Sequence, residues 1–152
     1  MIREFTPEDL KAAARTWYRS GLLEYTYLPE FQKLDEQKAL EVFTEHIMKP
    51  NTLWIYETAG TVCGFLAMKA SYIDRLYVDP DHQHQGIGSA LLKHAMKISP
   101  RHLELHTHQQ NHRARQFYEK YGFVAVRYGL SPPPENVPDV EYHWRSYKKV
   151  KP

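Results

Sequence analysis

The chain has a single cysteine in 152 residues, Cys63, set inside an apolar run. That excludes a disulfide framework and predicts a buried strand thiol. It also lacks an apolar run of the roughly 20 residues a bilayer span needs, a secretory leader pattern and a lipidation signal. No membrane partner is expected, and a reducing, cytoplasmic setting is the default. Charge of one sign is missing as well: 20 basic residues face 18 acidic ones, for a net charge of +2, with the two kinds interspersed. A mixed solvated surface fits that balance better than a nucleic-acid footprint, so no nucleic-acid partner is expected. Internal repeats and breaks in composition are also absent. Residues 1–152 therefore read as one domain, long enough to bury a real core.

Glycine is scarce, with seven in all, yet two of the seven fall in one short stretch. Leu76-Tyr77-Val78-Asp79-Pro80-Asp81-His82-Gln83-His84-Gln85-Gly86-Ile87-Gly88-Ser89 reads as a strand, a tight turn and the entry to a helix. Pro80 ends the strand because it has no N–H to donate, and Gly86 and Gly88 admit a ligand where a Cβ would collide. Ile87, Leu91, Ala95 and Ile98 then recur at helical spacing. Such a turn leaves N–H groups unpaired at a helix start, where the macrodipole also favours negative charge. It is a site for phosphate. No Lys-Ser/Thr pair comes after it, so it is not a Walker loop, and it is a poor dinucleotide fingerprint.

Around this stretch the chain divides into alternating and helical segments. Ile2 to Phe5 is a short strand, and Thr6-Pro7-Glu8-Asp9 opens a helix burying Leu10, Ala13, Ala14 and Trp17. Periodicity fails from Gly21 to Lys33, which predicts a loop whose Tyr25, Tyr27 and Phe31 either pack on the core or wall a pocket. The next helix runs from about Asp35 to Met48. Thr52 to Thr58 and Thr61 to Lys69 form a hairpin about Ala59-Gly60, and Tyr72 to Val78 is the next strand. His102 to Thr107 is a strand, Asn111 caps a helix that Gly122 stops, and Phe123 to Gly129 and Val140 to Tyr147 finish the sheet. The segment Ser131 to Pro138 is proline-rich and reads as a stiff exposed loop. Val140 to Trp144 fits either an edge open to a second copy, giving a homodimer, or an ordinary sheet member. His106 and His108 share a strand face, with His102 and His112 near in sequence, but neither a Cys partner nor an HExxH pattern accompanies them, and no metal is expected.

Gln83-x-x-Gly86-x-Gly88, directly after Leu76-x-Val78-x-Pro80, resembles the acetyl-coenzyme A motif of the GNAT superfamily of N-acetyltransferases. His84 stands where many members have glycine. Asn111-x-x-Ala114-x-x-Phe117-Tyr118-x-x-x-Gly122-Phe123 resembles the second coenzyme motif of the same family. Together the two cover about Tyr72 to Val126. The resemblance implies a mixed α/β domain, with a twisted, mostly antiparallel sheet of six or seven strands, helices on both faces and one splayed strand pair.

It also implies acetyl-coenzyme A as acetyl donor and a primary amine as acceptor. The pyrophosphate would lie on the turn from Gln83 through His84, Gln85, Gly86, Ile87 and Gly88 to Ser89. The pantetheine would track Leu76, Tyr77 and Val78 and be held by Asn111. Tyr118 is in the family's position to protonate the departing thiolate. Asp74 is the first candidate for the base that frees the amine, ahead of Glu104 and His106. The aromatic and proline-rich loops suggest a closed site for a small amine. Acetylation of a peptide, or coenzyme binding without catalysis, remain open alternatives from sequence.

Overall fold

A computed structural model describes residues 1–146 of the chain. Seven strands form one sheet: β1 (Ile2–Glu4), β2 (Thr52–Thr58), β3 (Thr61–Lys69), β4 (Tyr72–Val78), β5 (His102–His108), β6 (Val124–Leu130) and β7 (Pro138–Arg145). Their order is β1-β2-β3-β4-β5-β7-β6, and every neighbouring pair is antiparallel except β4 with β5. The helices are α1 (Leu10–Glu24), α2 (Pro29–Gln32), α3 (Glu36–Phe43), α4 (Ile87–Ile98) and α5 (His112–Lys120).

β3 shows why helices lie on both faces. Residues 63–68 are buried without a break, and successive side chains point to opposite sides. Leu66 and Met68 belong to a core with Leu91, Leu92, Tyr118 and Tyr142. Phe65 and Ala67 belong to another with Trp17, Phe31, Phe43 and Tyr77. Cys63 is fully buried in the first of these cores, as its apolar neighbours predict.

The structure departs from the expected elements in two places and decides between two alternatives in a third. The helix predicted to stop near Gly21 runs on to Glu24, and the segment predicted to be loop also contains α2. Gly21 acts as a notch: a Cβ there would stand 2.1 Å from Cζ of Phe31, so the missing side chain lets α2 lay its aromatic ring on α1. The second predicted helix begins on time, with Asp35 accepting from the Lys38 N–H at 2.7 Å. It ends as a π-helical turn over Thr44–Met48, which carries Ile47 into the core. Finally, β7 is no edge. Val140 and Tyr142 are fully buried, so β7 takes the interior place between β5 and β6, and the outer strand is β6, where Val124, Tyr128 and Leu130 are exposed. The expected end of β7 at Tyr147 lies outside the described residues.

The parallel pair is short. β4 and β5 pair only at Tyr72 with Glu104 and Ile73 with Leu105, and beyond these they part. The cause lies in β4, whose register on β3 slips between Ala67 opposite Arg75 and Met68 opposite Ile73, leaving Asp74 as an extra residue. A bulge of this kind bends a strand and re-aims the residues after it. Ile73 and Leu76 consequently lie with the first core while Tyr77 joins the second.

Candidate active site

The parted strands open into a cleft of about 1060 Å³. It is lined by β4 from Tyr72 to Val78, the end of β5, the turn before α4, one face of α5, the end of α1 and the loop carrying Pro132, Pro133 and Glu135. Both segments that the sequence offered as pocket walls, the aromatic one and the proline-rich one, meet here.

At one end is the glycine turn. Asp79 is 6 % exposed and gathers the Arg19 guanidinium at 2.9 Å, the Asp81 N–H at 3.0 Å and the His82 imidazole at 3.3 Å. These three contacts pin the start of the turn. Gln83 folds back and donates to the Val78 carbonyl at 2.9 Å, where the Ser20 hydroxyl also donates at 2.8 Å. That carbonyl is therefore satisfied by the protein. His84 adopts φ +63° and Gly86 φ +78°. His84 thus takes a left-handed conformation that glycine reaches freely, at about 1 kcal/mol for an L side chain. No backbone carbonyl among the described residues takes the N–H groups of residues 83–89. They remain available to an anion at the start of the twelve-residue α4. A Cβ at Gly88 would meet nothing of the protein closer than 3.6 Å, and the Ser89 hydroxyl bonds that of Tyr121, tying α4 to α5.

On the far wall, α5 is set by Asn111, whose side chain accepts from the Ala114 N–H at 3.2 Å. Asn111 is thus a helix cap and a cleft residue at once. Tyr118, two turns further along the same face, is 8 % exposed. It lines the cleft, and the groups that act on its hydroxyl include no hydrogen-bond partner among the described residues. Burial, with Glu24, Tyr25 and Tyr72 nearby, raises its pKa well above the usual phenol value, so it stays protonated.

The other end of the cleft is rich in paired polar groups. The hydroxyls of Tyr25 and Tyr77 bond each other, and burial pushes Tyr25 up to about 12. Tyr27 bonds Nδ1 of His108 at 2.7 Å, and Nε2 of His108 lies 3.5 Å from the Glu135 carboxylate. His108 holds that carboxyl below its usual range. Tyr72 bonds Nδ1 of His106 at 2.8 Å, and both residues line the cleft. Asp74 lines it too, but its carboxylate already takes the Asn51 amide at 2.7 Å and lies 3.3 Å from the Arg75 guanidinium. Glu104, the next candidate base, lies outside the cleft lining.

Glu24 was not singled out by sequence reasoning. It ends α1 on the wall of the cleft, exposed to solvent on one side yet crowded by protein on the other, and this crowding raises its pKa against the opposing pull of Arg113 and Asn111. The only signal for it would have been a helix continuing past Gly21. Arg75 and Glu135 were missed for a similar reason, since a bulge and a loop, not periodicity, aim them at the cleft.

A family model described as acetyltransferase (GNAT) family matches residues 14–123. A peptidyl-lysine N-acetyltransferase, YjaB of Salmonella typhimurium, is 29 % identical over 126 residues, 82 % of this chain and 83 % of that one. The solution structure of apo YjaB from Escherichia coli superposes with a TM-score of 0.79 at 24 % identity, covering 94 % of this chain and 95 % of that one. A PaiA N-acetyltransferase of Thermoplasma acidophilum, solved in complex with coenzyme A, gives a TM-score of 0.70 at 24 % identity over 96 % and 98 % of the two chains. The chain belongs to the GNAT family of acetyltransferases. It is an N-acetyltransferase whose acetyl donor is acetyl-coenzyme A. Among the described residues no helix is long and apolar enough to cross a membrane.

Proposed function

We propose that this enzyme passes the acetyl group directly to a primary amine of a small molecule while both substrates are bound. The observation that carries the reading is the Tyr118 hydroxyl, protonated, without a hydrogen-bond partner among the described residues, and set on the gap between β4 and β5. In this reading the diphosphate rests on the N–H groups of Gln83, His84, Gln85, Gly86, Ile87, Gly88 and Ser89. The pantetheine runs along Leu76, Tyr77 and Val78 in the manner of an added strand and reaches the Asn111 side chain. Because the Val78 carbonyl is already engaged and Tyr77 turns its backbone towards β3, the backbone of Leu76 and the N–H of Val78 supply the strand contacts, and Tyr77 contributes its side chain.

The neutral amine attacks the thioester carbonyl carbon, forming the C–N bond. A backbone N–H near Tyr77 or Val78 receives the oxyanion. The C–S bond then breaks, and Tyr118 gives its proton to the thiolate. The amine's own proton passes to a carboxylate. Glu24 is the first choice because its pKa is raised, which brings a base closer to working pH. Asp74 is the second, since Asn51 and Arg75 already occupy it. The one cysteine is withdrawn from the cleft, which argues against a thiol-linked acetyl-enzyme: Cys63 lies in the core, its thiol directed at the Thr61 carbonyl at 3.3 Å.

A small acceptor is supported by the bridge across the other end of the cleft, where Glu135, His108 and Tyr27 link the proline-rich loop to the aromatic segment. A second reading, a lysine of a peptide, is favoured by the name of the YjaB relative. The test is a panel of small primary amines run beside lysine peptides, with free coenzyme A as the readout. Higher kcat/KM for the small amines supports the first reading, and higher kcat/KM for peptides replaces it with the second.

A further inference from the structure

The folded sheet brings together histidines that the sequence keeps apart. On β5 and β7, Leu103, Leu105, Val140 and Tyr142 face the core, so alternation turns His102, Glu104, Glu141 and His143 to the other side. The register sets Glu104 directly opposite His143. Nε2 of His143 lies 3.2 Å from Oε1 of Glu104, and Nε2 of His102 lies 3.6 Å from that same oxygen. The two imidazoles are held edge to face, with centroids 5.2 Å apart and planes at 82°. One ligating atom from each of the three residues falls within 4.8 Å of the other two.

We propose that His102, Glu104 and His143 form a binding site for a divalent cation of the zinc class on this face of the β5–β7 pair. Tetrahedral zinc with arms of about 2.0–2.2 Å has ligand-to-ligand edges of about 3.3–3.6 Å. The spacings from the shared carboxylate oxygen to the two ring nitrogens already approximate such edges. At 3.6 Å the His102 contact is too long for a hydrogen bond, so direct pairing with Glu104 does not account for that ring's placement. Two imidazoles and one carboxylate are a donor set that suits zinc and leaves a fourth position open.

The same nitrogen of His143 also meets Oε2 of Glu141 at 2.6 Å. Glu141 in turn lies 3.6 Å from His106 and 3.9 Å from Arg127. When the cation binds, Nε2 of His143 exchanges its contact with Glu141 for the metal, and Glu141 either becomes the fourth ligand or turns to His106 and Arg127. The side chains of the three ligands are 24–36 % exposed, so the site is open to solution.

The test is titration of the full chain with Zn²⁺ against a chromophoric zinc indicator. One strong site per chain is expected, together with a rise in melting temperature on adding Zn²⁺. H102Q/H143Q and E104Q should weaken it at least tenfold, and H46Q, at an exposed histidine remote from the cluster, should leave it unchanged. Absence of a strong site, or unchanged affinity in H102Q/H143Q, overturns the proposal. Should that variant fail to fold, Co²⁺ added to the unaltered chain decides the matter. An intense visible band of a tetrahedral complex supports the site, and the weak spectrum of octahedral cobalt overturns it.

Discussion

Tyr118 shows how one side chain belongs to a core and to a cleft at once. It packs against Phe117 and Phe123 like any core aromatic, while the same side chain lines the cleft. Tyr118→Phe keeps that packing and removes the proton. Turnover should fall by about 10²-fold or more, while the dissociation constant for acetyl-coenzyme A, measured by calorimetry, stays within a factor of about three. At the opposite wall, Glu24 must be deprotonated to serve as base, and its pKa is raised. The rate should therefore climb with pH through a limb set above the usual carboxylate range. Glu24→Gln should abolish that limb while Asp74→Asn retains it, and the pH profile of kcat/KM distinguishes them. A structural carboxylate gives the reverse sign. Asp9 takes two bonds from Arg3 at 2.8 Å, which lower its pKa from 3.8 to about 2. Its contribution is complete above the unfolded value of 3.8 and is lost as pH falls towards 2. Asp9→Asn should lower stability by about 2 kcal/mol at neutral pH and by far less near the folded pKa, as denaturant melts at both pH values would report. The placement of Asn111 and Tyr118 on one face of a helix at the cleft was legible in the sequence, because their motif spacing fixes it. Glu24 was not, because its placement depends on where a helix ends.

At the scale of elements, the decisive feature is a strand that changes direction. The slip at Asp74 ends the pairing of β4 with β5 after two residue pairs, and the cleft is the consequence. The sequence shows the strand and the turn after it, but a bulge leaves no periodic trace in a single chain. Gly21 makes the same point in reverse. It stands where helical periodicity fails in the sequence, yet the helix runs through it and it is a contact surface for Phe31, and Gly21→Ala should lower stability by about 1–3 kcal/mol through overpacking. Gly88 differs, since the protein leaves room for a Cβ there. Gly88→Ala should melt within a few degrees of the unaltered chain yet bind acetyl-coenzyme A at least tenfold more weakly. A large loss of stability in that variant would mean the glycine serves packing and not the ligand.

For the molecule as a whole, two cores on opposite faces of one sheet hold the walls of the cleft apart. The order of strands, with β7 inside β6, decides which edge meets solvent, and alternation alone could not rank the two. The sheet, the helices on both faces and the splayed pair were legible because two motifs with fixed spacing carried them. The cleft's other end was less so, being assembled from the segment after α1, the end of β5 and the loop between β6 and β7, which share no pattern.

Direct transfer between two bound substrates is tested by initial-velocity kinetics with acetyl-coenzyme A and a reactive amine varied together, paired with the intact mass of the protein after incubation with acetyl-coenzyme A alone. Intersecting lines, amine-dependent release of thiol and an unchanged mass are predicted. Parallel lines with an acetylated chain, or no thiol release with any amine, would contradict it.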